Sequence, residues 1–104
     1  QRACTAVTDG ARGCWFATVD RPGRIRHQPA FTVETRDTTG CGDVFHGAYA
    51  AGLLMGLAIP DAIRLASATA ALKSMHPGGQ AGIPDRLAVA SFLKDRGAVI
   101  STRV

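Results

Sequence analysis

The apolar and polar positions of this chain fall into two rhythms. As far as Thr35, apolar residues come in short β-branched or aromatic runs interrupted by glycine, aspartate and proline; from Gly42 onward they come in long runs. Short runs bounded by turn residues predict strands, and long ones at helical spacing predict helices. Cys4 to Thr8 predicts a strand entering a tight turn at Asp9-Gly10, and Gly13 to Val19 the returning strand. Asp20-Arg-Pro-Gly23 has the composition of a β-turn. Ile25 to Gln28 predicts a polar edge strand ended by Pro29, and the alternation in Phe31 to Thr35 predicts one more half-exposed strand.

The second half predicts three helices. From Gly42 to Gly56 the residues are apolar or small almost all round, with Phe45, Tyr49 and Leu53 on one stripe and Val44, Ala48, Ala51 and Met55 on another, so this helix is expected to be buried between layers. His46 lies on neither stripe and is expected to face solvent or a loop. Gly56 and Pro60-Asp61 mark a break and a new start. Ala62 to Met75 follows as an alanine-rich helix suited to close packing, with Arg64 and Lys73 expected to point to water. The glycines and prolines of His76 to Pro84 read as a loop. Asp85 to Arg96 carries Val89, Phe92 and Leu93 at helical spacing, and Gly97 ends it; Ala98 to Val104 takes no assignment.

Composition narrows this picture. The 104 residues, 46% of them hydrophobic, suffice for one compact domain. The net charge of +4 includes a cluster of Arg21, Arg24, Arg26 and His27, but no aromatic interleaving or recognition motif accompanies it, which favours a solvated edge over a nucleic-acid surface. Three cysteines without Cys-x-x-Cys spacing argue against a disulfide framework or a zinc site and point to a reducing compartment. No apolar run approaches bilayer length and no signal-peptide pattern is present, so no membrane partner is expected. A P-loop is excluded, because no Gly-x4-Gly-Lys-Ser/Thr run occurs.

The stretch from Asp37 to Ala50 carries the densest chemistry. Gly40, Cys41 and Gly42 stand where a loop feeds a helix, so their amides offer donors at the positive end of the dipole to an anion such as phosphate. Asp43 has two readings: a helix-start acid, or a general base beside a phosphate cradle. Cys41 reads as a small residue or as a thiol activated by the helix end. Asp37 and Thr39 supply hard oxygens for a cation, or Asp37 caps the turn. Thr8 to Gly13, taken alone, is a hairpin turn.

The whole run Asp-Thr-x-Gly-x-Gly-Asp-x-Phe-x-Gly, from Asp37 to Gly47, resembles the C-terminal signature of the ribokinase-like, or PfkB, family of carbohydrate and nucleoside kinases. Thr8 to Gly13 resembles that family's Thr-x-Gly-x-x-Gly nucleotide loop, with Asp9 where an apolar residue is common. The resemblance spans about Thr5 to Arg96. It implies an α/β fold, the C-terminal part of a three-layer αβα architecture, with β-hairpin strands followed by three helices, and residues 1–104 as the nucleotide-binding and catalytic part of a longer kinase. It also implies transfer of the ATP γ-phosphoryl group to a hydroxyl of a sugar or related small molecule. Asp43 would be the base, the amides of Gly40, Cys41, Gly42 and Asp43 the anion hole, and Thr8, Asp9, Gly10, Gly13, Gly42 and Asp43 the nucleotide contacts. Cys41 replaces the usual alanine. A monovalent cation, K⁺, is implied at Asp37, Thr39 and Gly78, with main-chain oxygens of Lys73 and His76 as further ligands; Gly82 lacks a hydroxyl that some members offer. Mg²⁺ would accompany ATP, its Asn/Glu motif lying upstream. Cytoplasmic location and a homodimeric parent are compatible with this reading. The rival is a non-catalytic nucleotide- or anion-binding module, and the isolated chain is expected to lack turnover.

Overall fold

The computed structural model describes residues 4–8, 12–18, 20, 23–38, 40–75 and 85–97. Strand β1 (Cys4–Thr8) pairs antiparallel with β2 (Cys14–Thr18), and β2 with β3 (Arg26–Gln28), giving a three-stranded sheet in the order β1-β2-β3. Period-two alternation sorts β2 by face: Cys14, Phe16 and Thr18 are buried, while Trp15 is exposed and stacks on His27 with ring centroids 4.0 Å apart. Gly13, just before β2, has φ of 101° and is pressed against the β3 end, so that a Cβ there would meet the Gln28 carbonyl and come within 2.7 Å of the Ala30 nitrogen. Only glycine meets both demands.

Three helices follow: α1 (Cys41–Leu54), α2 (Ile59–Ser74) and α3 (Arg86–Asp95). Pro60 occupies the first turn of α2, where the missing N–H costs nothing. Asp85 caps α3 through its side chain, which accepts from the Ala88 amide at 2.8 Å. One core group joins sheet and helices, Cys14 and Phe16 packing with Phe45, Ile63 and Ala66. A second sits between α2 and α3, with Leu65 and Ala68 against Val89, Phe92 and Leu93. Burial of each large side chain in these groups is worth about 1.5–3 kcal/mol. The alanines of α2 serve close approach as expected: a Cβ on Gly52 of α1 would lie 3.1 Å from the Ala62 Cβ.

The hairpin strands, the polar edge strand and all three helices therefore form where the pattern predicts them. Three expectations do not hold. Residues 31–35 are not a strand; Phe31 and Val33 are half-buried and Thr32 and Glu34 exposed, so the alternation persists, but among the described residues no strand lies alongside to form a ladder. Phe31 instead meets Phe92 edge-on, with centroids 5.3 Å apart. The first helix begins at Cys41 and is not buried all round: only Phe45 and Gly52 are buried, and Leu54 is 89% exposed, because α2 covers one side and no described element covers the other. Lys73 does not point to water. It is 0% exposed, at the end of α2 where the next residue, Ser74, takes the Arg36 and Asp37 amides on its carbonyl, whereas Arg64 is half-buried. No described helix is long and apolar enough to cross a membrane.

Candidate functional site

The site is built where the hairpin, the residues 30–38 and the N-terminus of α1 meet above α2. Gly40 is the N-cap of α1, with φ of 77°, a left-handed conformation that glycine adopts without strain. The chain enters the helix directly after that kink, at Cys41. The first helical bond runs from the Val44 amide to the Gly40 carbonyl at 3.0 Å. The Cys41 amide is not a bare donor, as the sequence suggested; it donates to the Thr38 carbonyl at 3.1 Å and closes the turn before the helix. The amides of Gly42 and Asp43 find no acceptor among the described residues, and no side chain caps this helix end. Among the described residues these two donors, at the positive pole of a fourteen-residue helix, have no partner.

A cavity of about 470 Å³ opens beside that pole. Its wall includes Thr8 and Gly13 from the hairpin together with Thr38, Cys41 and Gly42 from the second glycine motif. Two stretches far apart in sequence are therefore brought to one space. The floor is α2, through Ser67, Ala70, Ala71 and Ser74, and the side is closed by Phe31 and Val33. Sequence reasoning missed these lining residues. Their one legible signal was the run of small residues in α2, which leaves room beside the helix as well as permitting close packing.

Asp43 is exposed on the first turn of α1, outside the cavity wall but next to Gly42 in the chain, and a carboxylate there is free to reach solvent or a substrate. His46 is exposed as expected, its ring Nδ1–H donating to the Gly42 carbonyl at 2.7 Å. Asp37 is half-buried, and its amide and that of Arg36 both donate to the Ser74 carbonyl, at 3.0 and 2.6 Å. Asp9, Gly10, Thr39, His76, Gly78 and Gly82 lie outside the described residues.

The Cys41 thiol contacts the Ala70 carbonyl at 3.6 Å. Burial pushes its pKa above the ordinary thiol value, with Lys73 pulling it down and Asp37 adding to the rise. A thiol so placed is mostly protonated at neutral pH, which agrees with a residue chosen for its size and not with an activated nucleophile. Among the described residues no group of three or more His, Cys, Asp and Glu side chains stands ready to hold a metal ion.

Comparison with known proteins gives this arrangement a setting. The model of the pfkB family carbohydrate kinases matches residues 3–86. The ribokinase of Lactococcus lactis is 39% identical over 89 residues, covering 86% of this chain and 29% of that protein. Among solved structures, a putative ribokinase from Agrobacterium tumefaciens aligns with a TM-score of 0.83 at 37% identity, covering 88% of this chain and 29% of that one. A putative ribokinase II from E. coli in complex with ATP and Mg²⁺ aligns with a TM-score of 0.81 at 26% identity, covering 89% and 29%. The chain thus spans under a third of the length of each of these proteins.

Proposed function

The chain belongs to the pfkB family of carbohydrate kinases, and on that premise we propose that it forms the C-terminal nucleotide-binding and catalytic part of an ATP-dependent kinase acting on a hydroxyl of a sugar or related small molecule. One observation carries this reading: the hairpin residues Thr8 and Gly13 and the helix-start residues Cys41 and Gly42 line the same cavity. A nucleoside fits between the apolar side of that cavity and the small residues of α2. The phosphate chain then runs toward the N-terminus of α1, where the Gly42 and Asp43 amides receive the transferred group.

In the reaction the acceptor hydroxyl oxygen forms a bond to the γ-phosphorus as the bond to the β,γ-bridging oxygen breaks and ADP leaves. The Asp43 carboxylate takes the hydroxyl proton. Charge spreading over the γ-phosphoryl oxygens is met by amides already oriented, with no reorganisation at the moment of transfer. Mg²⁺ accompanying ATP would neutralise phosphate charge; among the described residues no acid cluster stands ready to hold it. A K⁺ ion would take Asp37 as a ligand; Thr39 and Gly78, the other residues that the resemblance implies for it, lie outside the described residues.

Asp43→Asn tests the base. The amide is nearly isosteric and keeps the helix-start contacts, so the longer parent should fold and bind ATP as before. Its kcat should fall by about 10²–10⁴ with little change in nucleotide affinity. A near-normal kcat would identify Asp43 as a structural acid. The short span relative to kinase relatives favours a second reading for the 104 residues taken alone, a nucleotide-binding module without turnover. Calorimetric ATP binding with no ADP release is the expected result there.

A further inference from the structure

Phe31 and Val33 form one wall of the cavity, on an extended segment that nothing described pairs with. Among the described residues no strand lies beside residues 31–35, so no ladder of backbone bonds fixes their position. Their contacts run instead to α3. The Arg96 guanidinium, just past the last residue of that helix, donates from Nη1 to the Thr32 carbonyl at 2.7 Å. The same group lies over the Phe92 ring, 4.6 Å from its centroid, and that ring meets Phe31 edge-on. A planar guanidinium can do both at once, its face on an aromatic ring and its rim of N–H donors toward a carbonyl, and a charged donor makes the stronger bond. Phe31 and Val33 add to this by packing on the core group that contains Val89, Phe92 and Leu93.

None of the described residues of α3 lines the cavity, yet the helix joins two of its sides. Leu65 and Ala68 of α2 belong to the same core group as Phe92, and their neighbours Ser67, Ala70 and Ala71 form the cavity floor. The spacing between floor and wall is therefore carried through α3. Arg96 is exposed, and its backbone N–H bonds to the Phe92, Leu93 and Lys94 carbonyls whatever side chain it bears, so neither core burial nor the helix end depends on the guanidinium. We propose that Arg96 is a positioning residue for the nucleotide cavity: it ties the Phe31 and Val33 wall to α3 at a fixed distance from the α2 floor, and so sets the affinity for nucleotide without touching it. Asp43 and the Gly42 amide belong to α1 and not to this wall, so loss of the tie loosens binding and spares the chemical step. The effect on ATP rests on the nucleotide-site reading above; the effect on the wall does not.

The test uses the full-length protein carrying this segment. Its readouts are ATP affinity by calorimetry, KM and kcat, the thermal midpoint, and the rate at which iodoacetamide labels Cys41, followed by peptide mass spectrometry. Cys41 is half-buried and lines the cavity, so its labelling reports on the wall with no nucleotide present. Arg96→Ala should weaken ATP binding and raise KM for ATP by about fivefold or more, the lower end of ordinary coupling between sites, with kcat nearly unchanged. Cys41 should be labelled faster in the same variant. Arg96→Lys keeps a charged donor for the Thr32 carbonyl but not the flat face on Phe92, and should recover part of both effects. Lys94→Ala removes the same charge from the same exposed helix end and should match the wild type. Labelling at the wild-type rate in Arg96→Ala would overturn the proposal, whatever the midpoint does. An equal loss of affinity in Lys94→Ala would also overturn it, by making Arg96 one contributor to a general positive field, and so would a fall in kcat with KM unchanged. Should Arg96→Ala not fold, Arg96→Gln takes its place with the same expected directions. Absence of ATP binding in the wild type would instead count against the kinase reading, leaving the Cys41 rates to decide the role of Arg96.

Discussion

Helices α1 and α2 are similar in length and both rich in small apolar residues, yet they are buried in opposite degree. Along α2, nine residues are buried, including Ala62, Ile63, Ala66 and even Lys73. Along α1 only Phe45 and Gly52 are. The difference follows from position, since α2 has α1, α3 and the sheet around it, whereas α1 has α2 on one side. The consequence for function is a division of labour. The helix that presents its N-terminus to the candidate phosphate site is held on one flank, and the helix beneath it supplies a rigid, tightly packed floor.

Three substitutions probe that contrast by urea unfolding. The largest effect is expected from Phe45→Ala. Phe45 is the large side chain that α1 commits to the core, beside Cys14, Phe16, Ile63 and Ala66, and its loss should cost about 3–5 kcal/mol. Next comes Gly52→Val, which drives a branched side chain into a spot where even a Cβ would lie 3.1 Å from Ala62; forcing the two helices apart should cost about 1–3 kcal/mol. Because that wedge also shifts the α1 N-terminus, ATP affinity should fall along with stability. The smallest is Leu54→Ser, at an 89% exposed position, which should change the stability of this chain by no more than about 0.5 kcal/mol. A loss well above that in a longer parent would show that other residues cover the outer face of α1 there, and the contrast between the two helices would then belong to this segment alone.

Much of the candidate site was legible because glycine and its neighbours specify backbone conformation locally. Gly13 and Gly40 adopt positive φ where their motifs place them, and the spacing from Asp37 to Gly47 was enough to predict a turn feeding a helix. The two hairpin strands followed from short β-branched and aromatic runs bounded by turn residues, a property of a few adjacent residues. Less was legible about what those amides would do. The Cys41 N–H looks free in the sequence, but the Thr38 carbonyl takes it once the Gly40 kink folds the chain back.

The sequence by itself determined the helix and hairpin positions, the glycine turns and the family, because each depends on residues close together in the chain or on an ordered motif. Tertiary structure alone decided which polar groups left water. Among the described residues the strand-like alternation of 31–35 found no ladder, and Lys73, polar by every local rule, is buried at the end of α2, where residues 36 and 37, far from it in sequence, bond to the helix. Burial is a property of what lies across the space from a residue, and no local pattern encodes that.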